Sequence, residues 1–216
     1  MNPLATRPLA LLGGTFDPVH LGHLRVAWEA AEFLAADVHL MPAKVPPHRA
    51  QPLASAEQRV AILRAALQGQ DRLILDEREL RRDGPSYTVD TLIELRQEIG
   101  PGRSVVLLVG ADAYAGLPAW HRWRELFDLA HIGVLTRAGH EIIETPELSE
   151  QVGRRRASAA ADLGQSACGR VIGIRVSALE ISATHIRNEL AAGREPRYLV
   201  PAGVLAEPEL LAQYRA

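Results

Sequence analysis

His20 and His23 stand three residues apart, behind Gly13-Gly14-Thr15-Phe16-Asp17-Pro18. The apolar run 9–12 before them reads as a strand. Gly13-Gly14 reads as a tight turn where backbone can approach a ligand closely, and the stretch from Pro18 to Leu21 as the start of a helix. Free amides at a helix N-terminus, together with the helix dipole, make an anion site. Two imidazoles at i and i+3 share one face of that first turn and would both point at the anion. Histidine donors aimed at a phosphate suit the charge that develops during phosphoryl or nucleotidyl transfer. The plainer alternative is that one histidine caps the helix and the other fills the core; the place right behind Gly-Gly-Thr favours the phosphate. The order matches neither G-x-x-x-x-G-K-[ST] nor G-x-G-x-x-G, which disfavours P-loop chemistry and dinucleotide-dependent hydride transfer.

Such a site needs a frame. Short apolar runs at 9–12, 38–41, 73–75, 105–109, 132–136 and 171–176 alternate with stretches of helical spacing at 21–35, 55–67 and 88–98. Several runs are continuously apolar, as strands buried on both faces are. Ser55 and Gln58 fit a capping box. The alternation predicts an α/β fold, a doubly wound, Rossmann-like parallel sheet with helices on both faces and a small helical part at the C-terminal end. Residues 138–169 break the rhythm and read as a peripheral helix or insertion, with Arg154-Arg155-Arg156 on a solvated face. From Ser182 the chain turns helical again, with Gly193 a C-cap and a last helical stretch over 201–214. One domain, 1–216, is expected, with 182–216 packed on it.

Composition narrows the class. The chain has 216 residues, 47% of them hydrophobic and 23% charged, the make-up of an ordinary globular protein. A formal net charge of -2 argues against nonspecific binding of nucleic acid. The one cysteine, Cys168, allows no internal disulfide and suits a reducing compartment. The run at 9–12 is too short for the core of a signal peptide, and no stretch approaches the roughly 20 apolar residues of a membrane span. No membrane association and a cytoplasmic location are expected.

Two motifs carry a resemblance. His20-Leu21-Gly22-His23 with its glycine-rich lead, and Ile181-Ser182-Ala183-Thr184-His185-Ile186-Arg187, resemble the two signatures of the nucleotidyltransferase superfamily. Ala183 stands where many members have Ser. Four further segments, at 46–49, 86–92, 109–112 and 120–123, resemble motifs of the bacterial nicotinate-nucleotide adenylyltransferases. The resemblance spans nearly the whole chain and is weakest over 138–169. It implies transfer of AMP from ATP to nicotinate mononucleotide, giving deamido-NAD and pyrophosphate, with Mg²⁺ carried by ATP and no protein ligand assigned to it.

The resemblance also implies roles. His20 and His23, with Arg187, are the catalytic candidates. Gly13, Gly14, Thr15 and Phe16 would line the phosphates, and Asp17 would order the turn. Ser182, Thr184 and Arg187 would bind phosphate, although a serine there is ordinarily an N-cap. Gly110 and Asp112 end the fourth strand, where a carboxylate can accept from ribose hydroxyls or else cap the next helix. Thr88, Trp120 and His121 would hold the nicotinate half, with Trp123 left to the core. His48 and Arg49 would close over a phosphate, with Lys44 and Arg137 as further cations. Other readings remain: a relative that takes nicotinamide mononucleotide or another phosphate acceptor, a nucleotide-binding module without catalysis, and a synthetase fragment. The oligomeric state is left open, a homodimer among the options.

Overall fold

The computed structural model describes residues 7–44, 51–82, 84, 86–137, 139, 142–177 and 179–215. The chain runs β1 (Leu9–Gly14), α1 (Leu21–Leu34), β2 (Asp37–Pro42), α2 (Ala56–Ala66), β3 (Leu73–Leu75), α3 (Arg78–Arg81), α4 (Thr88–Ile99), β4 (Val105–Gly110), α5 (Ala111–Ala115), α6 (Leu126–Leu129), β5 (His131–Thr136), α7 (Pro146–Val152), β6 (Val171–Arg175), α8 (Ala183–Ala191) and α9 (Ala202–Leu205). Among the described residues four short 3₁₀ turns are interspersed, the last at Pro208–Tyr214. Among the described residues the six strands form one sheet, ordered β3-β2-β1-β4-β5-β6. Every pairing is parallel. The expected Rossmann-like, doubly wound fold is what forms.

The sheet separates two cores because alternate side chains of a strand leave on opposite faces. Ala10, Val106 and Leu108 join α1, α2, α8 and α9 on one side. Leu9, Leu11, Val105, Leu107 and Val109 join α4, α6 and α7 on the other. Gly133 lies in the middle of β5 because a Cβ there would crowd Leu108, Val106 and Ile174 at 2.9–3.1 Å. Ser55 caps α2 in a capping box with Gln58, as the spacing predicts.

Four details differ from the sequence reading. Gly13 and Gly14 are not a turn: β1 continues through them, paired with Met41 and Pro42, and the chain turns only afterwards. The C-terminal stretch is not one helix but α9 followed by the 3₁₀ turn, which places Val204, Leu211 and Tyr214 in the first core. Gly193 follows the cap residue Ala192 with φ 72°, so it is the left-handed residue just beyond α8. The arginine run is also not one solvated face. Arg155 donates to the Gly169 carbonyl and lies over the Phe127 ring, and Arg156 pairs with Glu144. Among the described residues no helix is long and apolar enough to cross a membrane.

Candidate active site

The strand order reverses between β1 and β4, so the loops beyond their carboxyl ends diverge to opposite faces and leave a crevice. The histidine motif sits on the β1 side. His20 is the N-cap of α1, and His23 is its third helical residue. Each ring accepts from the other's backbone: His23 N–H donates to His20 Nδ1 at 3.4 Å, and His20 N–H to His23 Nδ1 at 3.3 Å. The rings stack with centroids 3.6 Å apart and planes 27° apart. Capping and phosphate binding are therefore not exclusive. An Nδ1 that accepts puts the proton of the neutral ring on Nε2, so the cap fixes the tautomer and makes Nε2–H the donor. Burial pushes the His20 pKa down to about 4, so the ring is a neutral donor at neutral pH.

The glycines around the pair are spacers. A Cβ on Gly22 would lie 3.0 Å from His20 Nδ1 and 3.7 Å from Ile181 Cβ. A Cβ on Gly14 would lie 2.8 Å from the Phe16 ring. That ring is buried, its residue is held at φ 50°, and it meets His23 edge-on at 5.1 Å. Phe16 can thus offer the site its backbone only.

The second motif arrives beside the first. Arg187 donates from Nη1 to the Asp17 carbonyl at 2.7 Å and from Nη2 to Thr184 Oγ1 at 3.2 Å. Ser182 caps α8, its hydroxyl oxygen accepting from His185 N–H at 3.1 Å, which leaves the hydroxyl hydrogen to donate elsewhere. Leu21 N–H, one of the amides at the start of α1, is taken by the Leu199 carbonyl. Histidines and guanidinium, roughly 160 residues apart in sequence, thus share one locus.

Across the crevice, Gly110 caps α5 with nothing within 4 Å of an added Cβ, so the space above it is open. Asp112 is exposed in the first turn of α5, whose cap residue is Gly110 and not the aspartate. Thr88 is the first residue of α4, half-buried. Its neighbours tie it to the Trp120–Arg122 segment: Tyr87 lies 4.4 Å from the His121 ring, and Arg122 reaches Asp90 at 3.4 Å. Trp120 is half-buried against the second core, and Trp123 lies within it. Lys44 Nζ donates to the Arg82 carbonyl at 2.7 Å, so its ammonium also bridges two loops. Arg137 is exposed just past β5, at the carboxyl edge. His48 and Arg49 lie outside the described residues.

Two contributors were not among the sequence candidates. Arg59, 1% exposed, donates to the carbonyls of Thr15 (2.8 Å), Ala43 (2.8 Å) and Lys44 (3.5 Å), pinning together the loops beyond β1 and β2. Its signal was an arginine on the apolar face of α2, one turn before Ile62 and Leu63. Tyr214 donates to Asp17 Oδ1 at 2.6 Å; nothing in its local sequence marks it. Among the described residues no cluster of three or more His, Cys, Asp or Glu could hold a metal.

Known proteins resemble this chain along its length. The cytidylyltransferase-like family profile matches residues 11–189. A probable nicotinate-nucleotide adenylyltransferase of Chromohalobacter salexigens is 48% identical over 95% of this chain and 94% of its own. One of Aeromonas hydrophila is 47% identical over 91% and 92%. Among solved structures, the Plasmodium falciparum nicotinic acid mononucleotide adenylyltransferase complexed with NaAD superposes with a TM-score of 0.67 at 12% identity, covering 96% of this chain and 97% of that one; it supports the fold. A cytidylyltransferase-like profile over most of the chain and near-half identity to full-length relatives lead to one assignment: the chain belongs to the nicotinate-nucleotide adenylyltransferase family of nucleotidyltransferases.

Proposed function

We propose that the protein transfers AMP from ATP to nicotinate mononucleotide, forming deamido-NAD and pyrophosphate as a late step of NAD synthesis. The observation that carries the reading is the histidine pair whose mutual cap fixes Nε2–H donors beside Arg187. The mononucleotide's phosphate oxygen attacks the α-phosphorus in line. One P–O bond forms, the bond to the β-phosphate oxygen breaks, and pyrophosphate leaves with the electron pair. A phosphate monoester is already a nucleophile at neutral pH, so the protein's work is positioning and charge stabilisation. His20 and His23 donate to the α- and β-phosphates. Amides and the Thr15 hydroxyl at Gly13–Phe16 line them. Ser182, Thr184 and Arg187 meet the departing pyrophosphate. Gly110 and Asp112 take the ribose. Thr88, Trp120 and His121 hold the nicotinate half, with Lys44, His48, Arg49 and Arg137 as the cations near the mononucleotide phosphate.

The donors gathered here are imidazoles, hydroxyls, amides and guanidinium. Such donors at the phosphates suit Mg²⁺ that would arrive with ATP, where it would neutralise phosphate charge. The whole chain acts as one nucleotidyltransferase domain in the cytoplasm. Purified protein with Mg·ATP should form pyrophosphate and dinucleotide much faster with nicotinate than with nicotinamide mononucleotide. His20→Ala should cost about 10²–10³ in kcat. Equal turnover with both acceptors would overturn the nicotinate assignment, and full activity of the variant would overturn the role of the histidine.

A further inference from the structure

We propose that Asp17 and Tyr214 are positioning residues for Arg187: with its carboxylate engaged by the Tyr214 hydroxyl and two loop amides, Asp17 leaves the Arg187 guanidinium available to a polyphosphate. The proposal rests on the reading that Arg187 receives the leaving phosphates, and it adds a residue from the far C-terminal end to that site.

The geometry is that of a long ion pair that stops short of a hydrogen bond. Arg187 Nη1 sits 2.7 Å from the Asp17 backbone carbonyl but 3.9 Å from the nearest oxygen of its carboxylate. A guanidinium and a carboxylate so close would ordinarily close into a charge-assisted, often bidentate pair, and an incoming phosphate would then have to break it. The carboxylate is engaged elsewhere. Oδ1 accepts from the Tyr214 hydroxyl at 2.6 Å and from Ala54 N–H at 3.1 Å, and Oδ2 accepts from Leu53 N–H at 2.9 Å. Asp17 is 7% exposed and Tyr214 4%, so water is a poor substitute for the hydroxyl. Without that hydroxyl, a buried carboxylate oxygen is left one donor short, a costly state. Of the two arginines near it, Arg59 is held by backbone carbonyls, so Arg187 is the one that can turn toward Asp17, which would spend its charge inside the protein.

The test is a double-variant cycle on the full chain, with binding of inorganic pyrophosphate and of ATP measured by titration calorimetry. Melting temperatures are recorded alongside. Tyr214→Phe keeps the ring and removes only the hydroxyl; it should weaken both ligands roughly tenfold. Arg187→Ala should weaken them as well, and adding Tyr214→Phe to it should cost nothing further, because the tyrosine acts through the arginine. A tyrosine that merely fastens the C-terminal segment would lower the melting temperature and leave affinity alone, or would weaken binding equally in both backgrounds. Either result overturns the proposal, as does wild-type protein that binds neither ligand. Intact coupling without turnover of nicotinate mononucleotide would instead refute the acceptor assignment and leave the proposal standing.

Discussion

Gly22→Ala should separate activity from stability. The added Cβ would stand 3.0 Å from Nδ1 and 3.1 Å from Cε1 of His20. Ordinary carbon contacts lie near 3.5–4.0 Å, so the ring must retreat by about half an ångström. It is 6% exposed and stacked on His23, so its movement is passed to the stack, and the Nδ1 contact to His23 N–H, already 3.4 Å, weakens. Stability changes little, because two terms oppose each other. Loss of a helix cap costs about 0.5–2 kcal/mol, whereas alanine gains up to about 1 kcal/mol over glycine within a helix. The net should move the melting temperature by only about 3 °C either way. Catalysis has no such offset. A misplacement of about 1 Å can cost 10²-fold, so half that distance should cost about tenfold in kcat/KM. The assay is pyrophosphate release with Mg·ATP and nicotinate mononucleotide, beside a thermal melt. The reasoning is refuted by a variant within twofold of wild-type kcat/KM, or by an activity loss that merely tracks a melting temperature lowered by about 10 °C or more.

Two other predictions test the frame. His20 and His131 are both buried with pKa values pushed down by desolvation, His20 to about 4. The unfolded chain therefore takes up protons that the native state refuses, and stability falls as pH drops from about 6.5 toward 4, by about 3 kcal/mol for His20 alone. Melting curves of wild type and His20→Asn should diverge at pH 7 and converge near pH 4.5; parallel curves would contradict a neutral His20. Gly203→Ala would drive a Cβ into the Ala65 carbonyl oxygen where α9 meets α2. Backbone cannot swing aside, so about 1–3 kcal/mol should be lost, seen as a melting temperature lower by about 2–10 °C; an unchanged melt would mean the helices part freely.

The parallel sheet was legible because continuous apolar runs and helical spacing alternate through the first two-thirds of the chain, whereas the strand order with its reversal between β1 and β4 comes from the fold. What the sequence could not carry were functions of a glycine that depend on a distant neighbour. Gly13-Gly14 looked like a turn, since glycine pairs commonly make one. In the fold Gly14 ends a strand and stays bare because the Phe16 ring occupies the place of a Cβ. The histidine spacing was legible as chemistry, but the competing reading, that a histidine there caps a helix, was legible too. Only the fold reconciles them, since Nδ1 of each ring does the capping and the proton of the neutral ring goes to Nε2. Residues 201–214 looked like one helix; Glu207-Pro208 interrupts it, and the 3₁₀ turn that follows brings Tyr214 to Asp17.

Arg59 shows why part of the site escaped notice. An arginine among apolar residues of a helix reads as a stem laid along the surface with its head in water. Here the head is buried and donates to three carbonyls of the loops beyond β1 and β2. Burying a charge is costly unless opposite charge is near. Burial does lower the Arg59 pKa, and the nearby Asp17 opposes that shift. The same carboxylate thus steadies Arg59 while sparing Arg187. The two arginines differ in what occupies their donors. Arg59 spends its guanidinium on backbone and fixes the shape of the loop. Arg187 spends single bonds on the Asp17 carbonyl and Thr184 Oγ1, and a quarter of its side chain remains exposed.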